Sequence, residues 1–199
     1  MLADWASYRY TLHRGRICLS LLLGLLGVAA SVATIYAAPI EGISQLSCGL
    51  EALNCTKALT SVYSKIGDIP LGVFGVFYFA FWTLNLRAFQ MTSNDGYRTF
   101  LSWITVLGAI ISLTLGAIMF LVLRAPCGFC LVTHLCNLGS FLLLGPLHRW
   151  RMQTPFTYEQ FRHFLAISAI AFLAAVCLNL TSKVRTLRAQ AEASKRTIW

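Results

Sequence analysis

Four cysteines in two pairs are the residues of this sequence whose types and spacing could do chemistry. Cys127 and Cys130 form a C-x-x-C motif, and six residues separate Cys48 from Cys55. A C-x-x-C pair can close a short disulfide, and a cysteine at a helix start can be activated as a thiolate. Because so small a loop gains little stability from a cross-link, the motif favours a redox or metal-binding role. Two merely stabilising bridges are the simpler alternative.

The composition predicts a multi-pass membrane protein. Of the 199 residues, 57% are hydrophobic and only 12% are charged, and the mean hydropathy is +0.68. Soluble domains are about 25% charged. Sixteen basic residues against seven acidic ones could indicate nucleic-acid binding. In a membrane protein this excess is better explained by topology, so no nucleic-acid partner is expected.

Apolar runs divide the chain into spans, each close to the roughly 20 residues that cross a bilayer. We predict an all-α membrane protein: a four-helix transmembrane bundle plus a fifth transmembrane helix, with an extracytoplasmic cysteine-bearing loop. The runs cover residues 17–38, 70–86, 99–123, 127–147 and 164–180. The first run could instead be a signal peptide, but its length favours a retained helix.

The segments between the runs set the predicted organisation and orientation. The predicted parts are a cytoplasmic N-terminal segment 1–16, a catalytic core 17–147 with an outer loop 39–69, a cytoplasmic linker 148–163, the fifth helix 164–180 and a basic tail 181–199. Inner segments carry eight basic residues, namely Arg9, Arg14, Arg16, Arg87, Arg98, Arg149, Arg151 and Arg162, and outer loops carry three, namely Lys57, Lys65 and Arg124. This bias predicts a cytoplasmic N-terminus, with both cysteine pairs outside. The tail is discordant, because it is basic and would also lie outside unless the fifth run does not span.

Two cysteine pairs on one outer face suggest thiol–disulfide exchange between them, in an oxidising compartment. On the fourth helix, the spacing places Cys130, Thr133, His134 and Asn137 on one face. Polar groups within a span are costly and usually face a bundle interior. This face could hold a quinone against Cys130, with Ser61 and Tyr63 of the loop closing over it. Alternatively, His134 makes an interhelical hydrogen bond, and Ser61 caps a turn.

These motifs together resemble the vitamin K epoxide reductase family, and in particular its bacterial members, over residues 17–147. The resemblance rests on Cys48-x6-Cys55, Ser61-Val-Tyr63, Ile69-Pro70-Leu-Gly72-Val-Phe-Gly75 and Cys127-Gly-Phe-Cys130. It implies four core helices around a quinone, capped by the cysteine loop, in a bacterial inner membrane. Many bacterial relatives carry a fused thioredoxin-like domain after a fifth helix, and we expect a homologue without that domain here.

The resemblance also implies roles for individual residues. Cys127 and Cys130 would form the active-site pair, with Cys130 nearest the quinone. Cys48 and Cys55 would relay electrons from a thioredoxin-like or DsbA-like periplasmic dithiol protein, with Cys55 exchanging with Cys127. The quinone would be of the ubiquinone, menaquinone or vitamin K type, and no metal is expected.

Two departures from the vertebrate members bear on the substrate. His134 stands where those members have a quinone-contacting tyrosine, and Leu71 stands where they have an asparagine. These departures favour plain quinone reduction over the alternative, reduction of a vitamin K epoxide. A third hypothesis is a non-enzymatic membrane protein that binds a metal through its four sulfurs, although six-residue spacing is unusual for zinc.

Overall fold

The computed structural model describes residues 2–37, 55–92, 95–144 and 158–196. Its α-helices are α1 Leu2–Ala37, α2 Cys55–Thr60, α3 Leu71–Thr92, α4 Asp95–Ala117, α5 Gly128–Leu144 and α6 Tyr158–Arg196. Shorter elements are a 3₁₀ turn Val62–Ser64, a hairpin of strands β1 Lys65–Ile66 and β2 Ile69–Pro70, and a π-helical turn Ile118–Val122 that extends α4.

The protein is an all-α membrane protein. Within the described ranges, three helical stretches are long and apolar enough to cross a bilayer: Gly15–Ala37, Phe100–Val122 and Phe161–Glu192. Two shorter apolar helices are Leu71–Arg87 and Gly128–Leu144. The predicted number of five spans, the outer position of the loop and the domain limits stay predictions.

Helix α1 packs along both α3 and α5. Helix α4 packs on α5, and α6 packs on the outer side of α3. Small residues let the backbones approach, as is usual between membrane helices. A side chain at Gly27 of α1, for example, would collide with the ring of Phe79 on α3. Close packing therefore holds the helices that carry the site.

One end of the bundle is filled by large side chains. We call it the closed end and define it by Ile17, Trp82, Leu86, Leu101 and Leu144, all buried in one cluster. The Trp82 indole N–H donates to Thr105 Oγ1 at 2.9 Å, which links α3 to α4 there. The opposite end, which contains Cys55 and Cys127, is called the cysteine end.

Helix α6 is longer than the predicted fifth span. It runs unbroken for 39 residues, from within the predicted linker 148–163 through most of the predicted tail 181–199. At about 1.5 Å per residue it measures about 58 Å, roughly twice the hydrocarbon thickness. Charged residues indicate where a helix leaves the hydrocarbon, whereas Pro, Gly or a capping residue indicates where the helix itself ends. The sequence of α6 contains neither Pro nor Gly.

The basic part of α6 is attached to α1 at the cysteine end. The Arg185 guanidinium lies 5.6 Å from the centre of the Tyr36 ring, and its Nη1 donates to the Tyr36 carbonyl at 3.4 Å. The Tyr36 hydroxyl is 3.4 Å from Thr181 Oγ1. A cation–π contact of this kind stabilises modestly. The segment after Ser182 therefore extends from the same end as the cysteines.

Candidate functional site

A tight connection between α4 and α5 positions Cys127. In the π-helical turn the Leu123 N–H donates to the Ile118 carbonyl at 2.9 Å, and Arg124 then adopts a positive φ of 48°. The chain reverses and enters α5 at Gly128, with the Cys127 carbonyl accepting from the Leu131 N–H at 2.9 Å. The Cys127 N–H donates to Met119 Sδ at 3.3 Å. Cys127 is thus fixed at the N-terminal end of α5, where the helix dipole favours a thiolate.

Three sulfur atoms lie close together at the cysteine end. Cys127 Sγ is 3.5 Å from Cys55 Sγ and 2.7 Å from Cys130 Sγ. Cys55 is disulfide-bonded, whereas Cys127 and Cys130 are free thiols. Cys48, the fourth predicted cysteine, lies outside the described residues. Cys127 is fully buried and is in contact with both of the other sulfur atoms.

The local hydrogen bonds favour ionisation of Cys127. The Cys130 thiol donates to its sulfur, and this bond is the main reason why the pKa of Cys127 falls to about 7. Burial of the sulfur opposes this decrease, while the backbone N–H groups of Cys130 and Phe129 contribute to it. Because the thiolate is the attacking form in disulfide exchange, Cys127 is activated at neutral pH.

A cavity of about 360 Å³ opens beside Cys130, between α3, α4, α5 and the turn after α2. Its walls are mostly apolar, and its size falls within the range of small-molecule sites. All five residues predicted to contact a quinone line it: Ser61, Tyr63, Thr133, His134 and Asn137. The structure therefore brings the predicted contacts together around one space, with Cys130 in its wall.

The polar groups in the cavity wall differ in what they can still bind. Ser61 Oγ donates to the Ala58 carbonyl at 2.8 Å, and Thr133 Oγ1 donates to the Phe129 carbonyl at 2.9 Å. Both hydroxyl protons are therefore already used in hydrogen bonds to nearby backbone carbonyls. By contrast, His134 Nδ1 is buried and has no hydrogen-bond partner in the part of the chain that the structure describes. A buried polar atom without a partner is costly, and His134 itself lines the cavity.

Two cavity residues on other helices escaped prediction. The Tyr78 hydroxyl donates to Asn137 Oδ1 at 2.8 Å, and Asn137 Nδ2 donates to Ser112 Oγ at 2.8 Å. The sequence carries a signal for both, because polar residues within apolar runs usually face a bundle interior. Met119 was missed too, since nothing local relates it to Cys127.

A metal centre is not supported by the donor set. No group of three or more His, Cys, Asp or Glu side chains arranged to hold a metal occurs among residues 2–37, 55–92, 95–144 and 158–196. Three of the four sulfurs of the metal hypothesis are adjacent, but Cys55 is disulfide-bonded. A metal is ligated by thiolates, which a disulfide does not provide.

The site therefore combines paired cysteines at a helix start with a mostly apolar cavity in a bundle of apolar helices. The model of the Vitamin K epoxide reductase family matches residues 18–144, which is more than half of the chain. The chain therefore belongs to the vitamin K epoxide reductase family and is a membrane oxidoreductase linked to quinones. A search of the curated proteins finds no match to this chain.

Proposed function

We propose that this protein is a membrane thiol oxidoreductase that supports disulfide formation. It oxidises a thioredoxin-like or DsbA-like periplasmic dithiol partner at Cys48 and Cys55, and passes the electrons through Cys127 and Cys130 to a quinone. One observation carries the proposal: Cys127 Sγ contacts both Cys55 Sγ and Cys130 Sγ, and Cys130 borders the cavity.

Electrons pass from the partner to the inner cysteine pair in three thiol–disulfide exchange reactions. A reduced partner opens the Cys48–Cys55 disulfide and leaves oxidised, so that the outer pair holds two electrons. The Cys55 thiolate then attacks Cys127, which forms a Cys55–Cys127 bond, breaks the Cys127–Cys130 bond and releases the Cys130 thiolate. The Cys48 thiolate attacks Cys55, restores the outer disulfide and releases the Cys127 thiolate.

The inner pair is then reduced and the outer pair oxidised. This distribution agrees with free thiols at Cys127 and Cys130 and a disulfide at Cys55. When the Cys127–Cys130 bond closes again, it releases two electrons and two protons, for which a bound quinone supplies the acceptor. His134 is suited to hold a ring oxygen, because it lines the cavity on the same helix face as Cys130.

The orientation and compartment are part of the proposal. The N-terminus lies in the cytoplasm, both cysteine pairs face the periplasm, and the protein resides in a bacterial inner membrane. The basic bias of the predicted inner segments supports this orientation.

Complementation tests the proposal. In a bacterial strain that lacks its own disulfide oxidase, the wild-type chain should restore disulfides in secreted proteins, and Cys130→Ala should not. Cys136→Ala is the matched control, because Cys136 is a buried free thiol of the same helix that does not line the cavity. Restored disulfides with Cys130→Ala would refute the electron path, as would equal loss with both variants.

A further inference from the structure

A chain of hydrogen bonds joins three helices at the cavity wall. Tyr78 on α3 donates to Asn137 on α5, and Asn137 donates to Ser112 on α4. Asn137 and Ser112 are each 5% exposed, while Tyr78 lies partly open to the cavity. The position of the Tyr78 hydroxyl is thus fixed by two side chains that are themselves buried.

The absence of a side chain at Gly108 of α4 makes room for this hydroxyl. A Cβ at that position would collide with the Tyr78 hydroxyl and would lie 3.0 Å from Asn137 Nδ2. Gly116 lies two turns further along α4 and has open space around it. The backbone of α4 therefore comes close to the Tyr78 hydroxyl at Gly108, and both residues line the cavity.

Linking α3 to α4 does not by itself require this arrangement. One turn further along α3, Trp82 donates directly to Thr105 at 2.9 Å, away from the cavity. That bond joins the same two helices with two residues and no cavity beside it. The Tyr78 chain differs because its first member borders a space that could hold a ligand.

This chain of hydrogen bonds allows the Tyr78 hydroxyl to act either as an acceptor or as a donor toward a ligand. In the structure the single Tyr78 proton goes to Asn137, which leaves lone pairs on the Tyr78 oxygen. If the Asn137 amide rotates, its Nδ2 donates to Tyr78, its Oδ1 accepts from Ser112, and the Tyr78 proton becomes available. Tyr78 can therefore accept from a ligand hydroxyl or donate to a ligand carbonyl.

We infer that the Tyr78 hydroxyl binds an oxygen atom on the ring of the cavity ligand, with Asn137 and Ser112 as its positioning residues. The inference rests on the proposed function for the ligand class, a quinone and its quinol. Carbonyl and hydroxyl are the two forms of one ring oxygen before and after reduction. A reversible hydrogen-bond chain serves both forms in an otherwise mostly apolar cavity.

The test compares duroquinone with durene, the same tetramethylated ring without oxygens. Binding is measured by equilibrium dialysis of fully oxidised protein in nanodiscs against empty nanodiscs, so that no electrons are transferred. Tyr78→Phe should weaken duroquinone binding about tenfold, the usual effect of one lost buried hydrogen bond, and should leave durene binding unchanged. Ser112→Ala should show the same selectivity with a smaller effect. Thr105→Val, which breaks the other α3–α4 bond, should change neither.

Equal weakening of both compounds by Tyr78→Phe would mean that the hydroxyl only supports the fold, and no weakening would mean that it faces no ring oxygen. Either result overturns the inference. Measurements on the wild-type protein distinguish failure of this inference from failure of the proposed function. If reduced wild-type protein reduces duroquinone while Tyr78→Phe binds it normally, only the inference fails. If the wild-type protein neither binds nor reduces duroquinone, the proposed function fails with it.

Discussion

The closed end and the cysteine end are built from the same helices, yet they are filled in opposite ways. At the closed end, Trp82 and Leu86 are 1% exposed and leave no room beside Leu101 and Leu144. Towards the cysteine end, α4 presents Gly108 and Ser112 beside Asn137 of α5, and a cavity remains. Close packing at one end holds the bundle so that the other end can stay open for chemistry. Substitutions at the two ends should therefore separate stability from function.

The largest expected effect is at the shared sulfur. Cys127→Ala should reduce partner oxidation at least about a thousandfold, because removing a residue that acts in the chemical step costs this much in comparable sites. The thermal unfolding midpoint should change little. Partner oxidation is measured by thiol titration and unfolding by calorimetry, and substantial remaining turnover would show that Cys55 exchanges with another sulfur.

A substitution at the closed end should lower the stability of the fold and leave the activity unchanged. Leu86→Ala removes a side chain that is 1% exposed, and should lower the free energy of unfolding by about 2 kcal/mol, at the lower end for buried leucines. Turnover per folded molecule should stay near the wild-type value. If activity were lost while the unfolding transition stayed in place, the two ends would not be separate.

The pKa of Cys127 predicts a pH dependence at the cysteine end. Its pKa is lowered to about 7, so the thiolate fraction rises with pH, is about one half at that pH and is nearly complete about one pH unit above it. In protein with a reduced inner pair and an oxidised outer pair, attack of the Cys127 thiolate on Cys55 is the reverse of the last exchange step. Its rate should rise about tenfold per pH unit below this value and level off above it. Rapid quench with mass spectrometry follows the transfer.

Cys130→Ala is the control for this profile, because it removes the hydrogen bond that contributes most to the lowered pKa. The rise should then continue to higher pH, towards the behaviour of an ordinary thiol. A wild-type rate that keeps rising beyond pH 8.5, as expected for a thiol with a pKa of about 8.5, would contradict the activation of Cys127.

The smallest effect compares two glycines of α4. Gly108→Ala should displace the Tyr78 hydroxyl and raise the KM for quinone about fivefold, which corresponds to about 1 kcal/mol for one hydrogen bond. Gly116→Ala enters open space and should leave KM unchanged. Steady-state kinetics with duroquinone measure both, and equal effects would mean that α4 is generally sensitive to a methyl group.

Local patterns predicted much of this site, and long-range packing decided the rest. A period of 3.6 residues places Thr133, His134 and Asn137 on the face of α5 that carries Cys130, and the structure brings them to one cavity. Their role toward a quinone stays a prediction. Nothing in the sequence relates Tyr78 or Met119 to the cysteines, because these contacts depend on how α3 and α4 dock.

The ends of a helix and the ends of its membrane-spanning part depend on different physical properties. Charge patterning set the expected limits of the fifth span at 164 and 180, whereas α6 extends from Tyr158 to Arg196. Transfer into the bilayer depends on side-chain polarity, but helix propagation depends on backbone hydrogen bonding and propensity. Ala, Leu, Arg and Lys propagate a helix equally well on either side of the membrane surface.

Disulfide trapping decides whether Cys127 is the sulfur through which the two pairs communicate. In Cys48→Ala/Cys130→Ala protein, Cys55 and Cys127 lose their other partners, and their sulfurs lie 3.5 Å apart. Mass spectrometry of this variant after mild oxidation should show a Cys55–Cys127 linked peptide. The matched Cys48→Ala/Cys127→Ala protein should show free Cys55 and Cys130. A Cys55–Cys130 link in the second variant, with free thiols in the first, would contradict the proposed path.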